Sequence, residues 1–271
     1  MRVGVVGAAG KMGIEVCRAV AGRPDLDLVA AVDALHTGRA LTEVAGTTVP
    51  DLTVSDRLDV LTDAATEVVV DFTRVDAARE TLAFCAASGI HTVVGTTGFS
   101  QSDLEVLAEG FAGPDAGRPN CIVAANFAIG AVLMMRFAEL AAPWFEGAEI
   151  VELHHQEKLD APSGTSMATA ERMAMARQTS GAGDFPADRT ATTVVDAARG
   201  GAGPGGVRLH SIRLPGLVAH QEVILGAVGQ SLTIRHDSSD RVSFMDGVVL
   251  AVRSVPDRPG LTIGLEPLLG L

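Results

Sequence analysis

The segment from Glu152 to Thr165 carries more potential chemistry than any other part of the chain. It reads Glu-Leu-His-His-Gln-Glu-Lys-Leu-Asp-Ala-Pro-Ser-Gly-Thr, setting His154, His155 and Lys158 just ahead of a helix start at Pro162-Ser163-Gly164-Thr165. A helix N-terminus offers backbone N–H groups with no intrahelical acceptor, together with positive potential, which suits a carboxylate. Two imidazoles and an ammonium beside such a turn imply an anionic substrate with more than one carboxylate, and groups able to move a proton. Lysine occurs only at positions 11 and 158 among 21 basic residues. An ammonium can release its proton, whereas a guanidinium holds its own too tightly, so Lys158 is a place to look for amine chemistry. Zinc competes for paired histidines, but neighbouring strand residues face opposite ways and no cysteine lies near, so no metal is expected. Half-buried histidines can also be purely structural.

A second motif lies at the other end of the chain. Gly7-Ala-Ala-Gly10-Lys-Met-Gly13 follows an apolar strand pattern and opens a helical one. In that setting glycines let the backbone approach a pyrophosphate while the helix start supplies donors. Asp33 stands twenty residues beyond Gly13, at the end of the next strand pattern, where an acid can bind ribose hydroxyls. Gly95-Thr-Thr-Gly98 and Ala125-Asn126-Phe127 each close a later strand, at the sheet edge where ligands of doubly wound folds bind.

Elements that could position these groups alternate through the first half. Strands are expected at 3–6, 27–32, 68–72, 92–94 and 121–124, with helices at 11–21, 75–88 and 102–111 between them, the pattern of a parallel sheet with crossover helices. Residues 34–58 read as turns. Beyond Asn126 the expected elements are a helix at 131–142, a strand at 149–153, a helix at 165–178, a mobile loop at 179–206, strands at 207–214, 218–225 and 231–236, and a returning helix at 244–253.

Composition narrows the function. A chain of 271 residues with 47 % apolar side chains suits two moderate domains. A net charge of −12 argues against a nucleic-acid partner. No apolar run approaches the ~18 residues that a membrane helix requires, and the start lacks a signal-peptide pattern. Cys17, Cys85 and Cys121 have no C-x-x-C spacing and read as buried small hydrophobes in a reducing compartment, so the expected location is cytoplasmic.

Taken together, Gly7 to Gly13, Val94-Gly-Thr-Thr-Gly98, Ala124-Ala-Asn-Phe127 and the His-His-x-x-Lys-x-Asp-Ala-Pro-Ser-Gly-Thr run resemble the dihydrodipicolinate reductase (4-hydroxy-tetrahydrodipicolinate reductase) family over essentially the whole chain. The resemblance implies an α/β fold with a Rossmann dinucleotide-binding domain at 1–128 and 242–271. An α+β substrate and oligomerisation domain with an open mixed sheet would occupy 129–241. It implies reduction of a cyclic dicarboxylate to tetrahydrodipicolinate in diaminopimelate and lysine synthesis, with NADH or NADPH, in a homotetramer. Contacts to the cofactor would come from Gly7, Ala8, Ala9, Gly10, Lys11, Met12, Asp33, Gly95, Thr96, Thr97, Ala124, Ala125, Asn126 and Phe127. His154 and Lys158 would carry acid/base roles, while His155, Gly164 and Thr165 would bind substrate. Some relatives place a basic residue where this chain has Ala34, so a dedicated contact to a 2′-phosphate is not expected. Another Rossmann dehydrogenase of amino-acid metabolism, or a non-catalytic dinucleotide sensor, are the alternatives.

Overall fold

The computed structural model describes residues 1–271, which divide into two compact units: Met1–Ala128 with Phe244–Leu271, and Ile129–Ser243. The first unit opens with β1 (Arg2–Val6), α1 (Lys11–Ala21), β2 (Asp27–Val32), α2 (Leu41–Ala45), α3 (Asp59–Asp63), β3 (Val68–Asp71), α4 (Val75–Ser88), β4 (His91–Val94), α5 (Gln101–Gly110) and β5 (Cys121–Val123). The second holds α6 (Ile129–Ala141), β6 (Gly147–His154), α7 (Gly164–Ser180), β7 (Gly201–Ala202), β8 (Arg208–Arg213), β9 (Ala219–Ala227) and β10 (Gln230–Ser238). The chain then returns to the first unit with α8 (Met245–Ser254), β11 (Leu261–Ile263) and α9 (Glu266–Leu269).

Short β-branched runs build the first sheet because a parallel strand covered on both faces must be apolar throughout, and every residue of β3 is buried. The sheet has six parallel strands in the order β11-β5-β4-β3-β1-β2. Connections run to opposite sides of β1, so the topological switch point falls between the carboxyl ends of β1 and β3, next to the glycine loop. The C-terminal return is fastened by a fully buried side chain: Asn120 Nδ2 donates to the carbonyls of Val255 and Pro256, both at 2.9 Å, and its Oδ1 accepts from Gly260 N–H at 3.1 Å. Arg23–Asp246 and Arg253–Asp25 pairs, each at 2.8 Å, join α8 to the chain around the end of α1. All three cysteines are free and buried; burial pushes the Cys17 and Cys85 thiols up to about 12, leaving no thiolate at neutral pH.

In the second unit the five strands run β10-β9-β6-β8-β7, with β6 and β8 parallel and the other pairs antiparallel, making the sheet mixed. Alternation puts Ala148, Ile150 and Glu152 of β6, with Gln221, Val223 and Leu225 of β9, on the buried side. Helices α6 and α7 pack against each other and cover this side.

Two stretches differ from the sequence-based expectation. Residues 34–58 contain α2 and two isolated bridges, Val32 with Ser55 and Ala40 with Thr53, which continue the β2 edge. Residues 179–206 are not a featureless mobile loop: Phe185 is buried under the Arg177 guanidinium, Arg199 pairs with Glu149 at 2.6 Å, and β7 adds to β8. Apolar periodicity cannot detect such anchors, because one aromatic ring and scattered ion pairs replace a continuous buried stripe.

Candidate active site

The glycine loop sits where strand, turn and helix place it. Gly10 N–H donates to Gly7 carbonyl at 3.0 Å, and Gly10 caps α1 without a side-chain bond, leaving the helix start available to a ligand. A Cβ at Gly13 would lie 1.9 Å from the Gly7 carbonyl oxygen, and Gly7 has φ +79°, so both positions demand glycine for close packing and turn geometry. The glycines leave backbone open to close approach, as a pyrophosphate needs. Asp33 is partly buried with one oxygen on Ala9 N–H at 3.0 Å and the other on Leu35 N–H at 2.9 Å, which orients its carboxylate at the loop.

At the same carboxyl edge, the remaining proposed cofactor residues separate by what they can present. Ala8, Thr96, Ala124 and Phe127 are buried, whereas Gly10, Lys11, Thr97 and Ala125 are exposed and Ala9, Met12, Gly95 and Asn126 lie between. The Asn126 side chain is occupied by Ala128 N–H at 2.8 Å. The sequence reading did not single out Asp71, Phe72 and Thr73. Asp71 is fully buried, and one oxygen accepts from Thr73 N–H at 2.9 Å, from the Thr73 hydroxyl at 2.7 Å and from the Thr96 hydroxyl at 3.1 Å. The Phe72 ring packs 5.7 Å from that of Phe127 and fills the space where a side chain at Gly95 would stand. Their signal was present in the run Val68-Val-Val-Asp-Phe, but only the strand order puts its end beside the glycine loop.

In the second unit, the site grows from the end of β6. Glu152 occupies a core-facing position at 0 % exposure and would be costly there without partners. Arg213, on the neighbouring β8, grips it with two bonds at 2.7 and 2.8 Å, and Ser163 N–H adds a third at 3.2 Å. His154 stands one alternation further along the same face, with Nδ1 at 2.5 Å from Glu152 Oε2. Burial pushes the Glu152 carboxyl up, yet bonds from Arg213, Ser211 and His154 outweigh it and hold the group below its usual range. His154 is shifted below the ordinary imidazole value: burial is the main cause, Glu152 opposes it, and the nearby Lys158 and Arg213 charges add to it.

The helix start follows. Ser163 caps α7 through its hydroxyl, which accepts from Ser166 N–H at 3.2 Å. Ser166 in turn donates to Gln221 at 2.8 Å, and Gln221 donates to the Thr169 hydroxyl at 2.8 Å, so the first turn is bolted to β9 through buried polar side chains. With Ser163 and Ser166 N–H committed, Gly164 and Thr165 N–H have no partner within the protein. His155 is partly buried just past the strand end, and its carbonyl accepts from Lys158 N–H at 3.1 Å. Lys158 donates to both oxygens of Asp160, at 2.8 and 2.9 Å. Sequence inspection had no means to find Arg213, which lies 61 residues beyond Glu152 and reaches it only through strand register.

Residues 1–127 match the family model "Dihydrodipicolinate reductase, N-terminus", and residues 130–269 match "Dihydrodipicolinate reductase, C-terminus". The chain is 51 % identical to the 4-hydroxy-tetrahydrodipicolinate reductase of Cutibacterium acnes and 50 % identical to that of Nocardia farcinica, covering 100 % of this chain and 99 % of each relative. A dipicolinate-bound dihydrodipicolinate reductase from Paenisporosarcina sp. TG-14 superposes with a TM-score of 0.84 at 37 % identity, over 98 % of both chains. An amine dehydrogenase from Mycobacterium smegmatis, at 14 % identity and a TM-score of 0.60, shares the fold alone. The chain belongs to the dihydrodipicolinate reductase family.

Proposed function

We propose that this protein reduces 4-hydroxy-tetrahydrodipicolinate to tetrahydrodipicolinate, consuming NADH or NADPH and a proton and releasing water, in diaminopimelate and lysine synthesis. The observation that carries this reading is the grouping of His154, Lys158 and the two uncommitted N–H groups of Gly164 and Thr165 around one buried carboxylate. A cyclic dicarboxylate suits that set: one carboxylate would accept from Gly164 and Thr165 at the α7 start, with His155 assisting. A bound nicotinamide dinucleotide supplies the hydride. Gly7, Ala9, Gly10, Lys11 and Met12 would hold its pyrophosphate, Asp33 its ribose, and Gly95 to Thr97 with Ala124 to Phe127 its remaining length; buried Ala8, Thr96, Ala124 and Phe127 would act through backbone atoms or by shaping the wall. Once the 4-hydroxyl has left as water, hydride adds to a carbon conjugated with the ring imine, electron density moves through that system onto nitrogen, and Lys158 would give the proton that completes the reduction, with His154 sharing the transfer.

We further assign the sheet face of the second unit that lies away from α6 and α7 to assembly of a homotetramer. Val151, Ile212 and Ile224 lie there among pairs such as Glu149 with His210 and Glu222 with Arg235. A reducing cytoplasmic setting fits the three free thiols. No helix is long and apolar enough to cross a membrane.

The test is loss of absorbance at 340 nm with substrate made in situ from pyruvate and aspartate semialdehyde. Substrate-dependent oxidation is expected; a dinucleotide that binds without turning over would support a sensor, and turnover of open-chain keto acids instead would support another dehydrogenase. In the same assay NADH should serve at least as well as NADPH, because Asp33 accepts from a 2′-hydroxyl and repels a 2′-phosphate, with Lys11 and Arg39 as the offsetting cations. A tenfold preference for NADPH in kcat/KM contradicts that expectation.

A further inference from the structure

Glu152 is an unusual occupant of its position. Period-two alternation gives β6 an inward row of Ala148, Ile150, Glu152 and His154, in which a buried carboxylate follows two apolar residues. Besides the Ser211 bond it makes four others. Oε1 accepts from Arg213 Nη2 at 2.7 Å and Ser163 N–H at 3.2 Å; Oε2 accepts from Arg213 Nη1 at 2.8 Å and from His154 Nδ1 at 2.5 Å. Both Nη groups of Arg213 are engaged as well, since Nη2 also donates to Asp160 carbonyl at 2.7 Å and Nη1 to Ile212 carbonyl at 2.8 Å, while Nε is buried without a partner. The guanidinium is therefore a clamp on the protein itself, with no fork left to offer a substrate carboxylate.

One carboxylate thus gathers three separate pieces of chain. These are the strand end that carries His154, the turn that carries Asp160 and Lys158, and the α7 start that carries Gly164 and Thr165. A carboxylate without a proton only accepts hydrogen bonds, so the ring nitrogen facing it carries the hydrogen. The other nitrogen, Nε2, is then left to exchange a proton with a ligand.

We propose that Glu152, clasped by Arg213, is a positioning residue of the reaction: it fixes the His154 ring as the Nδ1–H tautomer with Nε2 presented for proton exchange, and sets that ring against the anion-binding turn at Gly164 and Thr165. The proposal rests on His154 acting as an acid/base group, as argued above. Glu152 does not touch substrate; it acts through His154 and through Ser163. The charged groups that face His154 are Glu152 on its own strand, Arg213 on β8, and Lys158, itself paired with Asp160, on the following loop; Ala219 opposite it on β9 and Ser163 at the α7 start bring none. Removing the only acid that contacts the ring therefore lowers its proton affinity.

The first measurement needs no variant. In the full-length enzyme with 15N-labelled histidine, long-range 1H–15N spectra above pH 7 should assign His154 as the Nδ1–H tautomer; an Nε2–H form or a mixture overturns the proposal. The second is a double-mutant cycle. Glu152→Gln alone strands the buried Arg213 charge, so the paired variant Glu152→Gln/Arg213→Gln, which removes both charges, is compared alongside it. Both should lose roughly 10–100-fold in kcat, with the dissociation constant for NADH within twofold of the parent. The pH limb of kcat that reports His154 should move to lower pH, further in the single variant, where Arg213 still repels a protonated ring. In a His154→Asn background the same changes at Glu152 should cost less than about threefold, because the ring they serve is gone. Losses that simply multiply, or an unmoved limb, refute positioning while leaving the activity in place. A His154→Asn enzyme with undiminished kcat would instead overturn the acid/base role of His154, and the proposal with it.

Discussion

At the scale of single residues, Lys158 is where two roles compete. Its ammonium rests on Asp160, a group 63 % exposed, and an ion pair so open to water contributes less than about 1 kcal/mol. Such a partner is readily exchanged for a substrate atom. If Lys158 is the proton donor, Lys158→Met should lower kcat by roughly 10²–10⁴ while melting temperature and dinucleotide affinity hardly change. Stopped-flow single turnovers and calorimetry check this; retention of kcat within about threefold would leave Lys158 as a surface partner of Asp160. His154 differs from Lys158 in being held by a bond to a buried acid, which is why its ring can be treated as fixed and the lysine as adaptable.

Among elements, helix starts do most to place the sites. The first turns of α1 and α7 both present uncommitted N–H groups, one beneath a glycine loop and one beyond a serine cap. The α5 start is built differently and serves structure: Ser100 and Asp103 cap it reciprocally, and Arg79 reaches across from α4 to Asp103 at 2.8 Å. Bonds from Arg79 and Ser100 hold the Asp103 carboxyl well below its ordinary 3.8. A carboxyl whose folded value is depressed stabilises the fold fully above the unfolded value and loses that contribution as pH falls toward the folded one. Asp103→Asn should therefore lower Tm by roughly 1–3 °C at pH 7, and the gap to the parent should shrink as pH drops below 4. Thermal scans across pH 7 to 3 read this directly, and a gap that widens in acid would show that Asp103 does not act through its charge. An alanine at Gly13 is the harsher element-scale change: its Cβ would meet the Gly7 carbonyl, so dinucleotide affinity should fall at least tenfold, measured by fluorescence titration.

For the whole molecule, the residues assigned to dinucleotide and to dicarboxylate belong to different units, Met1–Ala128 with Phe244–Leu271 and Ile129–Ser243. Hydride transfer requires donor and acceptor carbons within ~3–3.5 Å, so binding both ligands should bring the units together, with the hinges near 126–130 and 240–243. Small-angle scattering should show a smaller radius of gyration with NADH plus pyridine-2,6-dicarboxylate than with either alone. An unchanged radius would argue that the enzyme works without closure. The same data report mass, and a tetramer of 27.9 kDa chains is the expected particle.

What the sequence determined by itself is the part governed by local rules. The turn after β1, the helix starts at Lys11 and Gly164, the buried β3 run and the spacing of His154, His155 and Lys158 all depend on neighbours within about one helical turn or strand, where residue type and period dominate. Tertiary structure decided the rest. Glu152 meets Arg213 because β6 and β8 pair in parallel with Glu152 beside Ser211; Asp71 meets Thr96 because β3 lies next to β4; Asn120 reaches Val255 because the chain returns to the first sheet. Each bond joins residues 25 to 135 apart in sequence. Strand order and register choose the first two pairs, since a shift of one residue would turn those side chains to the opposite face, and the path of the returning chain chooses the third.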